Sequence, residues 1–241
     1  MRTLLIRAAL LGATALALGA CGSDEPEAAA TDTAAAPAAP TPPGTLAPLQ
    51  PQSSPYERAQ RALLAATSLR FDAEYASASL GSQYLTGARQ AQNYRFNVRS
   101  APKPLDADGD WLMQGGRYLK KGLNGYEPQL NAPDGHVALI AAIAALPDKD
   151  TRLMPAGGGA DQVGGVACTR RSVDLAQMSQ IAASYQKLSV CIEEAAAQVL
   201  EIQAETRSGE RLQVSFSGFG EPVEMPQAEV KEWWQQLPRQ Q

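Results

Sequence analysis

Residues 199–217, Val199-Leu200-Glu201-Ile202-Gln203-Ala204-Glu205-Thr206-Arg207-Ser208-Gly209-Glu210-Arg211-Leu212-Gln213-Val214-Ser215-Phe216-Ser217, alternate apolar and polar side chains on both sides of Arg207-Ser208-Gly209. Leu200, Ile202 and Ala204 match Leu212, Val214 and Phe216, which predicts a β-hairpin with one apolar and one wet face. The same period of two recurs upstream. Leu69, Phe71, Ala73 and Tyr75 alternate with Arg70, Asp72 and Glu74, and Tyr94, Phe96 and Val98 alternate with Arg95, Asn97 and Arg99. Trp111 and Met113 begin another strand, which Gly115-Gly116 turns into Arg117–Lys121. Val166–Val173 and Leu188–Glu193 add two more extended segments. These runs predict an antiparallel, hairpin-connected sheet, amphipathic across its width.

Three segments switch to helical spacing. Residues 55–66 place Pro55 at a helix start, Ser54 as its cap, and Tyr56, Ala59, Leu63 and Ala66 on one stripe. Residues 134–146 carry Val137, Ile140, Ile143 and Ala144 at helical spacing until Pro147 stops them. Residues 174–187 predict a third helix, capped by Asp174, with Leu175, Met178, Ile181, Ala182 and Tyr185 facing inward. Strands, an interrupting helical segment and returning strands make an α+β domain over 56–226. At roughly 170 residues it is long enough to bury about 70% of its unfolded surface.

The ends of the chain are of another kind. Arg2 and Arg7 form a basic head, followed by an uncharged run over Ala8–Leu18, about eleven residues long. That is short of the roughly 20 needed to span a bilayer and fits a secretory signal peptide. It ends in Leu18-Gly19-Ala20-Cys21, which resembles a lipobox, so residues 1–20 are expected to be removed and Cys21 acylated, as with palmitate. Gly22, not Asp, follows the cysteine, which favours an outer-membrane anchor facing the periplasm. Residues 21–55, with eight of the chain's 17 prolines among Ala and Thr, lack the apolar surface to order themselves and read as a tether or plain spacer. The mature chain would hold 19 basic and 25 acidic residues, a net charge near −6, which argues against nucleic acid as a partner. Cys168 and Cys191 remain for an oxidising compartment. A disulfide between them would close a loop of about 24 residues, worth ~3 kcal/mol in the chain-entropy model. A metal pair is the alternative, but His136 is the only histidine. Residues 227–241 include Val230–Leu237, a short amphipathic segment whose Trp233 and Trp234 suit either a membrane interface or a seal on the domain's end.

The order of elements resembles the LolA-like family of periplasmic and lipid-anchored proteins, and within it the LppX- and LprG-type lipoproteins. The residues that carry the likeness are Leu188-Ser189-Val190-Cys191-Ile192-Glu193, the hairpin around Gly209, and the close Gly220-Glu221-Pro222-Val223-Glu224-Met225-Pro226. The first helix followed by Ser68-Leu69-Arg70-Phe71 supports it. Cys191 is a departure, at a place where a carboxylate often stands. The resemblance implies a curved antiparallel sheet, an unclosed β-barrel, covered by helices, with a hydrophobic cavity for acyl chains beneath a helical lid. Phe71, Tyr75, Tyr94, Phe96, Trp111, Met113, Ile202, Val214 and Phe216 from the sheet, with Ile140 and Ile143 from the lid, are then the expected ligand contacts. Ala138, Ala141, Ala142, Ala144 and Ala145 fill little volume and leave room for a gap. A fully packed core gives the same stripes.

Catalytic chemistry finds no footing. His136, expected on the surface at a helix start, lacks a nucleophile in a recognisable setting. Gly157-Gly158-Gly159 lacks the Gly-Lys-Ser/Thr ending of a phosphate loop. Glu193 and Glu194 would face opposite ways on a strand. Cys168-Thr169-Arg170-Arg171 is either a basic spot near the cavity mouth or a solvated strand face. The expectation is a non-enzymatic, lipid-anchored envelope protein, without metal or cofactor, that binds lipid or acyl chains for transport or presentation. The alternatives are a ligand-free protein-interaction or stress-sensing module on the same fold, and an envelope structural lipoprotein.

Overall fold

The computed structural model describes residues 53–155 and 161–226. The expected signal peptide, Cys21, most of the tether and the tryptophan tail lie outside the described residues. Helix α1 (Pro55–Ala65) starts as its sequence predicts: Pro55 occupies the first turn and Ser54 Oγ accepts the Glu57 N–H at 3.1 Å. Proline there lacks a donor that the helix would have left unpaired. Tyr56, Ala59, Gln60 and Leu63 form its buried face.

A meander of six strands follows: β1 (Ser68–Ser77), β2 (Gly81–Gln90), β3 (Asn93–Ala101), β4 (Gly109–Gln114), β5 (Arg117–Gly122) and β6 (Gly125–Gln129). Helix α2 (Asp134–Ala144) interrupts it. The return strands are β7 (Leu153–Pro155), β8 (Asp161–Val163), β9 (Val166–Val173), β10 (Tyr185–Glu193), β11 (Gln198–Thr206) and β12 (Arg211–Ser217). The sheet runs β6-β5-β4-β3-β2-β1-β12-β11-β10-β9-β7, antiparallel throughout, with β8 folded beside β9. Its last strand therefore zips against its first, with Phe71 opposite Phe216 and Ala73 opposite Val214. β6 and β7 remain as unjoined edges, so the barrel does not close. Pro128 on one edge and Pro155 on the other remove donors there, a common protection against stray pairing.

Strand β2 escaped the period-two reading, and its inward positions explain why. They are Gln83, Leu85, Gly87 and Arg89, three of which no hydrophobic pattern detects. Each has a packing duty. Gln83 Oε1 accepts the Gly135 N–H at 3.0 Å, holding the start of α2. Arg89, buried, donates to the carbonyls of Leu63 at 2.5 Å and Ala66 at 3.2 Å, satisfying the end of α1. A side chain at Gly87 would sit 2.8 Å from the Phe71 ring and 2.5 Å from the Arg95 carbonyl.

Three expectations need correction. Residues 174–187 do not form one helix: a 3-10 turn (Leu175–Gln177) and a single α turn (Ser179–Ala182) precede β10, which already begins at Tyr185. Pairing of Tyr185 with Thr206 and Lys187 with Glu205 draws this stretch into the sheet, and tertiary pairing outweighs local helix preference. Leu175, Met178, Ile181 and Tyr185 still pack against the core, while the Ala182 side chain lies outside the described ones. Second, Leu200 does not share a face with Ile202. Cys191 pairs with Glu201 and Ile192 with Val199, so Leu200 is the extra residue of a bulge. Val199 takes the inward place, and Leu200 joins Cys168 and Cys191 on the opposite face. Third, α2 is rotated relative to the expected stripe. It buries His136, Leu139 and Ala142, continuing to Ala145 and Leu146, while Val137, Ala141 and Ala144 are exposed. A helix that is apolar on every side gives the sequence no means of choosing its inward face. The Cys168–Cys191 disulfide forms as expected, with Cα atoms 5.6 Å apart.

Candidate functional site

The concave side of the sheet divides into two parts. Toward β3–β5 it is filled by rings. His136, from the first turn of α2, stacks on Phe96 (centroids 4.2 Å apart, planes 3° from parallel), which stacks in turn on Trp111 at 6.4 Å. Tyr94 and Tyr118 meet the imidazole edge-on at 4.8 and 5.5 Å, and Phe71 closes on Tyr94 at 6.2 Å. The Tyr118 hydroxyl and His136 Nδ1 share a 2.9 Å hydrogen bond. His136 is thus fully buried, not at the surface, and burial pushes its pKa down to about 3. It is a neutral core ring that locks the lid helix to β5.

Toward β10–β12 the inward side chains are smaller, and a gap remains. A cleft of ≈ 280 Å³ lies between α2 and the sheet, lined by Tyr75, Val137, Ala138, Ala141, Tyr185, Ala204 and Leu212, with Asp134, Thr206, Glu210 and Arg211 also on its walls. That is near the lower end of the roughly 300–1,000 Å³ of small-molecule sites. Ala138 and Ala141 are two of the small residues expected to leave room, and they do. Of the sheet and lid residues expected to touch a ligand, Tyr75 alone lines this cleft. Phe71, Tyr94, Phe96, Trp111, Ile202, Val214 and Phe216 are brought together as buried core, with Met113 and Ile143 partly buried against them. Ile140 is half-buried and does not line the cleft. Tyr185, Ala204 and Leu212 were legible only as inward-facing residues.

Helix α2 is anchored at both ends. Besides the Gln83 and His136 contacts at its start, the Tyr56 hydroxyl donates to the Pro147 carbonyl at 2.5 Å and Gln60 Nε2 to the Leu146 carbonyl at 3.4 Å. Its middle is less constrained: Val137 is 50% exposed, and Ala141 and Ala144 are open to solvent. The exposed Val137 and Ala141 thus form part of the cleft's own wall, which is open to solvent along α2.

The convex face holds a polar cluster that the sequence did not disclose. Glu201, 5% exposed, accepts Arg170 at 2.7 Å, Gln203 at 2.7 Å and Gln213 at 2.7 Å, while Arg170 Nε also meets Asp161 at 2.6 Å. Arg170 is therefore neither a spot at the cavity mouth nor a solvated side chain; with the disulfide, it fastens β8 and β9 to β10–β12. A trough of ≈ 680 Å³ beside it includes Lys187, Ser189, Gln203, Glu205 and Gln213. Its charges are largely spent on one another, Lys187 and Arg211 both reaching Glu205 at 3.2 and 3.8 Å. Among the described residues, no three His, Cys, Asp or Glu side chains cluster to hold a metal ion, and no helix is long and apolar enough to cross a membrane.

No family model and no curated protein sequence matches the chain. Solved structures do. The lipoprotein LppX of Mycobacterium tuberculosis is 11% identical, over 70% of this chain and 95% of that one, with a TM-score of 0.49. LprF from Mycobacterium bovis is 15% identical over 72% of this chain and 94% of its own, with a TM-score of 0.48. A LolA superfamily protein from Nitrosomonas europaea is 10% identical over 71% and 93%, with a TM-score of 0.30. The fold is, by its own strand order and open edges, the half-barrel that the LolA-like resemblance implied.

Proposed function

We propose that this chain is a non-enzymatic, membrane-tethered protein of the cell envelope that takes an acyl chain of a lipid or lipoprotein beneath helix α2, for transport or presentation. In this reading residues 1–20 are removed, Cys21 is acylated at the outer membrane facing the periplasm, and residues 21–55 let the domain leave the surface. Two or three acyl chains on one residue suffice for stable anchoring, where a single chain binds marginally. The observation that carries the reading is the apolar cleft where the open edge of α2, at Val137, Ala138 and Ala141, meets the concave sheet. The resemblance to lipid-anchored relatives accords with it.

Magnitudes bear on how the lid must work. Burying roughly six methylenes contributes ~5 kcal/mol, at about 0.8 kcal/mol each. Association costs on the order of 4–15 kcal/mol, so a chain held only in the cleft as it stands would bind weakly. A tight complex needs α2 to move outward and cover more of the chain, at the cost of loosening Leu139 and Ala142 from the sheet.

The test is native mass spectrometry with solvent extraction on the full chain carrying Cys21→Ala, purified from an oxidising compartment. Discrete extra masses that extract into organic solvent, and that vanish when Ala141→Trp fills the cleft, are the expected result. A clean protein mass that stays clean after incubation with membrane lipids would sink the acyl-chain reading. The uncovered face of α2 would then belong to a protein partner.

A further inference from the structure

The open end of the α2 cleft carries charge for which an acyl chain has no use. Asp134, the first residue of α2, and Glu210, beside the β11–β12 turn, both line the cleft together with Tyr75 and Tyr185. The groups feel one another. Asp134 is held above the usual carboxylate range, by burial first and by the Glu210 charge second. The Tyr75 hydroxyl is pushed up to about 12 by burial and then by the Glu210 and Asp134 carboxylates. Among the described residues, neither carboxylate has a basic partner in an ion pair. Arg211 is the basic residue on the lining, and its Nε lies 3.8 Å from Glu205, which also holds Lys187.

Two carboxylates and two phenol rings therefore edge a small apolar cleft. Like charges in a partly desolvated place disfavour each other's ionised form, and an opposite charge between them removes that penalty. Tyrosine faces add attraction for a cation, most of all for one that sheds water easily. A phosphate or carboxylate head would instead bring a third negative charge to the same rim. We infer that the cleft selects an amphiphile whose polar end is cationic, an amine or quaternary ammonium, with its apolar chain under α2 and its nitrogen between Asp134 and Glu210. The inference rests on the cleft reading proposed above and adds the sign of the head group to it.

Three probes with one tail separate the two ideas. Decyltrimethylammonium, decyl sulfate and decyl maltoside are titrated below micelle formation, by calorimetry at neutral pH, into the full chain carrying Cys21→Ala. The ammonium probe is expected to bind at least about tenfold tighter than the sulfate, a difference of ~1.4 kcal/mol. Asp134→Asn with Glu210→Gln should bring the two within about twofold, by weakening the ammonium probe. A control pair on exposed carboxylates elsewhere, Asp106→Asn with Glu127→Gln, should keep the preference. Should the double variant fail to fold, raising salt from about 0.02 to 0.5 M must shrink the preference in the parent protein. Equal or tighter sulfate binding, or a preference that survives loss of both carboxylates, would overturn the head-group inference. Maltoside binding abolished by Ala141→Trp would still leave the cleft standing. If none of the three probes binds, the cleft reading fails and the inference with it.

Discussion

On strands β1 to β5 the inward positions carry the rings Phe71, Tyr75, Tyr94, Phe96, Trp111 and Tyr118 beside Leu69, Ala73, Leu85 and Val98; on β10 to β12 they carry Leu188, Val190, Ile192, Val199, Ile202, Ala204, Leu212 and Val214, with Phe216 as the buried ring. The same helix lies against both groups and meets them differently. Its first turn offers His136 to the rings and closes on them, whereas Ala138 and Ala141 face the smaller residues and leave a gap. One half of the sheet is a finished core that fixes where α2 starts. The other is equally buried at Leu188, Val190, Ile202 and Val214, and a gap remains only at its end, beside Ala204 and Leu212. On the proposed function, stability and binding belong to different ends of one concave surface.

The contrast can be broken by substitutions chosen in each half. The largest effect is expected for Phe96→Ala, which removes the ring between His136 and Trp111. It should cost about 3–5 kcal/mol in urea unfolding, and a loss below about 1 kcal/mol would mean that the aromatic half is loosely packed. Next comes acid. His136 is the chain's only histidine, and burial holds its folded-state pKa near 3 against an ordinary value of 6.5. Between those values the unfolded chain binds the proton and the folded one does not, so stability is complete above pH 6.5 and falls as the pH drops toward 3. The slope approaches about 1.4 kcal/mol per pH unit. Thermal melts between pH 7 and 5 should show the decline, and His136→Asn should flatten it; a slope unchanged by the substitution would exclude His136 as its source. The smallest effect is expected in the cleft. Ala138→Leu should change stability by less than about 1 kcal/mol, because the added atoms enter space already empty, where overpacking a filled core costs about 1–3 kcal/mol. A large loss there would show that the cleft closes in solution.

The alternation of Leu69–Tyr75, Tyr94–Val98 and Val199–Ser217 made most of the sheet legible, since one wet face imposes period two on the sequence. β2 was not legible because Gln83 and Arg89 point inward to satisfy helix ends, and Gly87 makes room for Phe71. The rotation of α2 was hidden by its uniform apolarity, and the Leu200 bulge by the ease with which a leucine fits either face. At the site, the small residues of α2 were readable as makers of space. The aromatic residues were read as the wall of a cavity, because inward-facing describes a direction and not what stands opposite. Only the arrival of His136 against Phe96 decides that this wall is covered.

The most direct measurement is photo-crosslinking of the full chain carrying Cys21→Ala to a lipid with a diazirine in its acyl chain, followed by mass-spectrometric mapping of the adducts. Adducts are expected on residues 134–141 of α2 and around Tyr75, Tyr185, Ala204 and Leu212, with none on Phe96 or Trp111. Adducts concentrated on Phe96, Trp111 and Tyr118, or none that compete with unlabelled lipid, would contradict it.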